Sequence, residues 1–333
     1  MVIDCHAHVT APQKLWAYRA LLTANRGVDG PGKLVISDDE IEESLHIDEI
    51  GIKGHLELLT DHKIDLQLIS PRPYHLMHSE YPEKMIRWFL EEEHNVMARI
   101  IRMHPDKFQG IAALPQCAGL SIKNSLPELE RAVKELGFRG CLINPDPFEE
   151  RGTGEAPSLG DEYWYPLYEM LCKLKIPGII HATTSCSSRL GYSIKMINEE
   201  SIGILNLLNS NVFQDFPDLK LIIPHGGGAI PYQIGRFEAD YRKKEKGSFR
   251  EHMKKFYYDT VLYSEEAIEF LIKVVGADNC LFGTECPGVG AVINPCTGKQ
   301  MDDLVPVIDN LSFLSEDEKK KIFEENAKKV FGI

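Results

Sequence analysis

The chain has 333 residues, 43% hydrophobic and 26% charged, which is the make-up of a water-soluble globular protein of one large or two ordinary domains. Its formal net charge of −13 argues against non-specific nucleic-acid binding, and no apolar run approaches the length of a membrane span. Asp4 and His6 fall where the apolar core of an export signal would have to be, so the expected location is the cytoplasm, with the eight cysteines reduced; none forms a C-x-x-C pair.

In chain order, Val2-Ile3 open a short strand that runs into Asp4-Cys5-His6-Ala7-His8. Residues i and i+2 of a strand share a face, so His6 and His8 would project side by side, as a zinc-type ion requires. Residues 11–25 read as a helix, 27–36 as a loop, and Ser37 to Glu40 as a capping box opening a short acidic helix. From 51 the chain becomes regular: helix 51–63, strand 64–70, helix 82–103, strand 108–114, helix 123–136, strand 140–143 and helix 161–175. Strand 177–180 ends in His181, helical residues 195–214 follow, and strand 219–223 ends in Pro224-His225-Gly226-Gly227-Gly228. Helix 230–242, strand 256–258 ending at Asp259, helix 264–275 and strand 280–282 ending in Gly283-Thr284-Glu285 come next. C-terminal helices fill 301–331, with a second capping box at Ser315 to Glu318.

Eight short apolar strands alternating with helices predict an α/β fold with a parallel sheet. The count fits a (β/α)₈ TIM barrel in a single domain, 1–333, with an insertion at about 10–50. A doubly wound open sheet is the rival, but no G-x-G-x-x-G follows a strand. In a barrel the residues at the C-terminal strand ends meet at one mouth. Here these are His6, His8, Arg72, Asn144, Asp146, His181, His225, Asp259 and Glu285. Four histidines and a carboxylate so placed predict a metal site.

These motifs resemble the amidohydrolase superfamily, on Asp4-Cys5-His6-Ala7-His8, His181, His225-Gly-Gly-Gly and the acid after strand eight. More narrowly they are similar to the branch holding aminocarboxymuconate semialdehyde decarboxylase, resorcylate-type decarboxylases and 4-oxalomesaconate hydratase. The segment HGGGAIPYQIGR from His225 to Arg236 and the ending Asn326-Ala327-Lys328-Lys329-Val330-Phe331 carry that likeness. The decarboxylases of the branch have an aspartate after strand eight, where this chain has Glu285. With Ser70-Pro71-Arg72, Asn144-Pro145-Asp146-Pro147 and Asn294-Pro295-x-Thr297-Gly298, this looks like the hydratase group.

The resemblance implies a mononuclear metal-dependent hydro-lyase acting on a small anionic polycarboxylate from aromatic degradation. Its ion would be zinc, or manganese or another divalent metal, held by His6, His8, His181 and Glu285. A zinc ion with three imidazoles and one acid keeps an open position, and can activate water or polarise a carbonyl. Hydration also needs a base and an acid, for which His225 and Glu285 are the candidates, with the assignment between them open. Arg72, Arg236 and Asn144 are the candidate substrate contacts. In related decarboxylases the arginine matching Arg236 can come from a neighbouring subunit, so the resemblance implies a homo-oligomer. The alternatives are a non-oxidative decarboxylase, a metal-dependent hydrolase on the same scaffold, or a catalytically dead barrel that only binds.

Other residues have plainer expected roles. Asp259 reads as a support residue as readily as a catalytic one. Thr183, Thr184 and Ser185 read as turn formers, and His75 and His78 as surface or lid residues. Nothing marks Cys286 as an activated thiolate. His225-Gly-Gly-Gly is not a lipase oxyanion motif, because no G-x-S-x-G accompanies it; its glycines should serve tight turning and close approach.

Overall fold

A computed structural model describes residues 1–48, 53–148, 155–183 and 191–333. Its strands are β1 (Ile3–His8), β2 (Leu66–Ser70), β3 (Phe108–Gly110, continued by Ala112–Ala113), β4 (Cys141–Ile143), β5 (Gly178–Ile180), β6 (Leu221–Ile223), β7 (Tyr257–Asp259) and β8 (Cys280–Leu281). Successive strands pair in parallel throughout. At the break in β3 the pairing passes from one neighbour to the next: Ile111 N–H donates to Ile69 O (2.8 Å) and Ala112 N–H to Gly140 O (2.9 Å). The ring closes where Cys5 N–H donates to Phe282 O (2.8 Å) and Glu285 N–H to His6 O (2.7 Å). Among the described residues every strand is paired on both sides, which is what a barrel achieves.

The strands are short and almost wholly buried because both faces are covered, so they read as continuous apolar runs. Ile3, Cys5, Leu68, Ile111, Ala113, Leu142, Ile179, Ile222 and Leu281 form the inner cluster. Ala327, Val330 and Phe331 of the last helix, Asn326–Phe331, join it; Phe331 lies beside Gly140, just before β4, at the end opposite the mouth. The alternate positions, such as Ile69, Cys141, Ile143, Ile180, Leu221 and Ile223, face the surrounding helices.

The helices follow the expected order with small shifts. Both capping boxes form, at Ser37/Glu40 and Ser315/Glu318. The 195–214 segment is two helices, Tyr192–Leu208 and Val212–Asp215. Phe249–Met253 adds a short helix absent from the sequence reading. Helices Gln13–Asn25 and Asp38–Leu45 of the 10–50 segment pack on the long helix Glu83–Met103. No helix among the described residues is long and apolar enough to cross a membrane.

Candidate metal centre

The site begins with an irregularity in β1. Its register with β2 shifts between Asp4 and Ala7. Before the shift Ile3 and Cys5 point into the barrel; after it Ala7 belongs to the outer layer. An extra residue of this kind reverses which parity faces inward. It lets His6 and His8 face the mouth although Ile3 and Cys5 face the interior below them. Asp4 braces the bend from behind. Its buried carboxylate accepts from Gln67 Nε2 (2.8 Å), Thr284 Oγ1 (2.6 Å) and the backbone N–H of His6 and Thr284 (3.1 Å each), joining β1, β2 and the loop after β8.

Four imidazoles gather at the mouth. Ring centroids of His6, His8 and His181 are 5.1–5.3 Å apart, and His225 lies 5.2 Å from both His6 and His181. Each Nδ1 is fixed by a hydrogen bond. His6 Nδ1 meets Asp259 Oδ2 at 2.6 Å, and His181 Nδ1 meets Ala182 O at 2.7 Å. His8 Nδ1 meets Ser70 Oγ at 2.9 Å, and that hydroxyl is within donating distance of Ala7 O (3.2 Å). Carbonyl and carboxylate oxygens can only accept, and the serine proton can go to Ala7 O. Each of these Nδ1 atoms is therefore the donor of its contact, and Nε2 is the ring nitrogen turned toward the centre.

The Nε2 atoms of His6, His8 and His181 are buried without hydrogen-bond partners, and the three residues converge as a candidate ion-holding group. Burial, then the neighbouring imidazoles, hold His8 and His181 well below the ordinary histidine range, and the Arg72 charge adds to this at His8. Three buried, converging ring nitrogens without hydrogen-bond partners fit a divalent cation, with Asp259 and Ser70 orienting the rings of His6 and His8 from behind.

Glu285 faces this triad. It is buried, with φ +59°, and its carboxylate lies between two rings: Oε1 is 3.9 Å from His8 Nε2 and Oε2 3.9 Å from His225 Nε2. Tyr263 OH donates to Oε2 at 2.8 Å. His225 also has a positive φ (+49°), and its Nδ1 is 2.7 Å from Glu200 Oε1, in the middle of helix Tyr192–Leu208. Burial alone would lower the His225 pKa, but the Glu200, Glu285 and Asp259 charges outweigh it and raise it to about 10. Burial raises Glu200 to about 7. A carboxylate oxygen can only accept from a ring N–H, so His225 Nδ1 carries the proton of this contact.

The glycines after His225 turn the chain tightly, as expected. Gly226, Gly227 and Gly228 all have positive φ, and a Cβ on Gly228 would stand 2.6 Å from Ile197 O. Asp259, besides orienting His6, accepts from Gly226 and Val261 N–H, so it is a support residue.

The substrate-contact candidates separate. Arg72 is buried beside the centre, close enough to His8 to depress it. Tyr192 stands near both Arg72 and Glu285, whose charge, after burial, drives its hydroxyl pKa up. Asn144 is buried and engaged: its amide nitrogen contacts His78 Nδ1 (3.0 Å) and Thr183 Oγ1 (3.1 Å), and its carbonyl accepts from Asp146 N–H (3.1 Å). Arg236 is exposed on helix Ile234–Lys243. His78 is not a surface residue; it is buried and bonded to Leu114 O (2.8 Å) as well as Asn144. Thr184 and Ser185 lie outside the described residues.

Sequence reasoning missed Asp4, Ser70, Glu200 and Tyr263 as supports. Only Ser70, at a strand end, and Asp4, inside the histidine motif, carried a signal.

Comparison with known proteins places these residues in context. A family model described as amidohydrolase matches residues 3–333. The chain is 35% identical to a 2-keto-4-carboxy-3-hexenedioate hydratase of Sphingobium sp., over 99% of this chain and 96% of the relative. It is similar to the crystal structure of a 4-oxalomesaconate hydratase from Rhodopseudomonas palustris, with a TM-score of 0.86 and 34% identity, covering 100% of this chain and 96% of that one. A dihydroxybenzoic acid decarboxylase structure from Polaromonas sp., which holds manganese and an inhibitor, shares the fold at a TM-score of 0.74 and 22% identity, over 99% and 96% of the two chains.

Proposed function

This chain belongs to the amidohydrolase family, and from that membership we propose that it is a zinc-dependent hydratase of an unsaturated oxo-polycarboxylate such as 4-oxalomesaconate. The observation that carries the reading is Glu285: a strand-eight glutamate held between the histidine triad and His225, in a chain whose near-full-length relative is a hydratase.

The name of that relative's substrate describes its chemistry. A 2-keto-3-ene is a conjugated enone, and the carboxylates add up to three negative charges. Water adds to the β-carbon of an enone while a proton goes to the α-carbon. A divalent ion at His6, His8 and His181, with Glu285 Oε1 at hand, would polarise the ketone and stabilise the negative charge that develops on its oxygen. His225, kept protonated on Nδ1 against Glu200, presents Nε2 toward Glu285 and the open side of the mouth. Glu285, fixed by Tyr263, is the base that takes the proton from water; His225, protonated on both ring nitrogens, gives its Nε2 proton to the α-carbon, and the proton on Glu285 then returns to Nε2 to restore both groups. Arg72 binds a substrate carboxylate; its burial strengthens that pairing, and its planar fork suits bidentate contact. Asn144 acts indirectly, by holding the β4 loop to His78 and Thr183. Arg236, exposed in one chain, would reach a site only in a neighbouring copy, so the reading includes a homo-oligomer.

The test is a paired assay on metal-quantified protein. Loss of the enone absorbance of 4-oxalomesaconate without CO₂, abolished in Glu285→Gln, is expected. CO₂ release from an aromatic acid, with no hydration, would move the chain to the decarboxylases.

A further inference from the structure

Directly behind Glu285 lies a second group of ligand-type side chains that the hydration chemistry does not use. His62, Cys286 and Asp302 are 4%, 0% and 0% exposed, and one donor atom from each lies within 4.8 Å of the others. His62 Nε2 is 3.9 Å from Asp302 Oδ1 and 3.2 Å from Gln300 Oε1. Neither oxygen of Asp302 has a hydrogen-bond partner of good geometry; the Cys286 thiol and its own backbone N–H are the donors beside it. A sealed carboxylate in that condition is costly unless something positive completes it.

The spacing identifies what would. Zinc bonds of about 2.0–2.1 Å to nitrogen or oxygen and about 2.3 Å to sulfur put the ligand atoms of a tetrahedral site with one thiol roughly 3.3–3.6 Å apart. The 3.2 Å separation of His62 Nε2 from Gln300 Oε1 lies close to that spacing, and the 3.9 Å separation from Asp302 Oδ1 exceeds it by a few tenths of an ångström, which a carboxylate rotation closes. The donor set is one imidazole, one thiol, one carboxylate and one amide oxygen, four in all, with His62, Cys286 and Asp302 buried and Gln300 half-buried.

We propose that His62, Cys286, Asp302 and the Gln300 amide oxygen form a second, structural site for zinc or another thiophilic divalent ion, distinct from the histidine centre. The site gives a task to the Asn294-Pro295-x-Thr297-Gly298 motif. That motif is the tip of a loop: Asn294 N–H donates to Lys299 O and Gly298 N–H to Asn294 O (2.8 Å each). The Ile293–Gln300 bridge and Met301 N–H to Val292 O (2.9 Å) then bring the chain back, so that Gln300 and Asp302 meet Cys286. An ion there ties both ends of the loop to His62, at the end of helix His55–Asp61. Because Cys286 follows Glu285, the same tie holds Glu285 in its left-handed backbone conformation.

The experiment loads the full-length protein with cobalt(II), counts ions per chain by mass spectrometry and records the near-ultraviolet spectrum. Two ions per chain and a thiolate-to-cobalt charge-transfer band are expected; the histidine and carboxylate ligands of the first centre cannot produce that band. His62→Gln and Asp302→Asn should each fall to one ion and lose the band, whereas His181→Asn should lose its ion and keep the band. One ion per chain without a thiolate band overturns the proposal, and so does a band that survives in both His62→Gln and Asp302→Asn. Neither readout depends on substrate, so failure here is separate from failure of the hydratase reading.

Discussion

Replacing Tyr263 with phenylalanine removes one hydroxyl from the site and little else. The Tyr263 ring packs against the apolar core, and phenylalanine keeps that packing. The hydroxyl donates to Glu285 Oε2 at 2.8 Å, and burial with the Glu285 charge drives its pKa far above the ordinary tyrosine value, so it remains a donor at any working pH. A hydrogen bond to a charged acceptor is worth about 1.5–3 kcal/mol. At about 1.4 kcal/mol per tenfold in rate, Tyr263→Phe should lower kcat roughly 10- to 150-fold. The measurement is steady-state hydration with metal content and melting temperature taken on the same sample. A fall in kcat with KM, metal content and melting temperature unchanged is the expected outcome. An unchanged kcat would refute the argument that Tyr263 orients Glu285 for proton transfer, and loss of the metal would make Glu285 chiefly a ligand.

His225→Asn should keep the metal and lose activity by about 100-fold or more, the usual worth of a proton-transfer group; loss of the ion with the imidazole would instead make His225 a ligand. Removing the ion with a chelator should abolish turnover, and zinc or manganese should restore it; full activity in metal-free protein would defeat the site assignment. Glu93 is fully buried, and burial raises its pKa from 4.5 to about 8, with Arg19 and Arg72 partly offsetting. Its proton is held more tightly in the folded chain, so its contribution to stability is complete below pH 4.5 and is lost as pH rises to about 8. The loss is about 1.4 kcal/mol per pH unit. Urea midpoints across that window should show a slope that Glu93→Gln removes, and identical profiles for the two proteins would contradict it. Gly110→Ala in β3 would drive a Cβ into the Phe138 ring and should cost about 1–3 kcal/mol, read as a lower melting temperature; an unchanged value would mean that the ring yields freely.

The barrel was legible in the sequence because its strands are buried on both faces. Each appears as an apolar run punctuated by a polar residue at its end, and parallel pairing brings those ends together. His6, His8, His181, His225 and Glu285 could therefore be assembled from their positions alone. The capping boxes at Ser37 and Ser315 were legible for a local reason, since both partners lie within four residues. What remained hidden depends on contacts between distant segments. Glu200 is a mid-helix glutamate like many others until the fold sets it 2.7 Å from His225. Tyr263 gains a role only because its hydroxyl crosses to the loop after β8, and His78 looked like a loop residue until Asn144 and Leu114 closed over it. The register shift in β1 leaves no mark on the residue pattern, because Cys5, His6 and Ala7 are all buried whichever way they point. Strand order, and which histidines and which acid stand at the strand ends, can be read from the residue pattern. Tertiary structure alone decided which nitrogen of each histidine is free, which carboxylate braces and which faces the open mouth, because those depend on hydrogen bonds between residues up to about 280 positions apart.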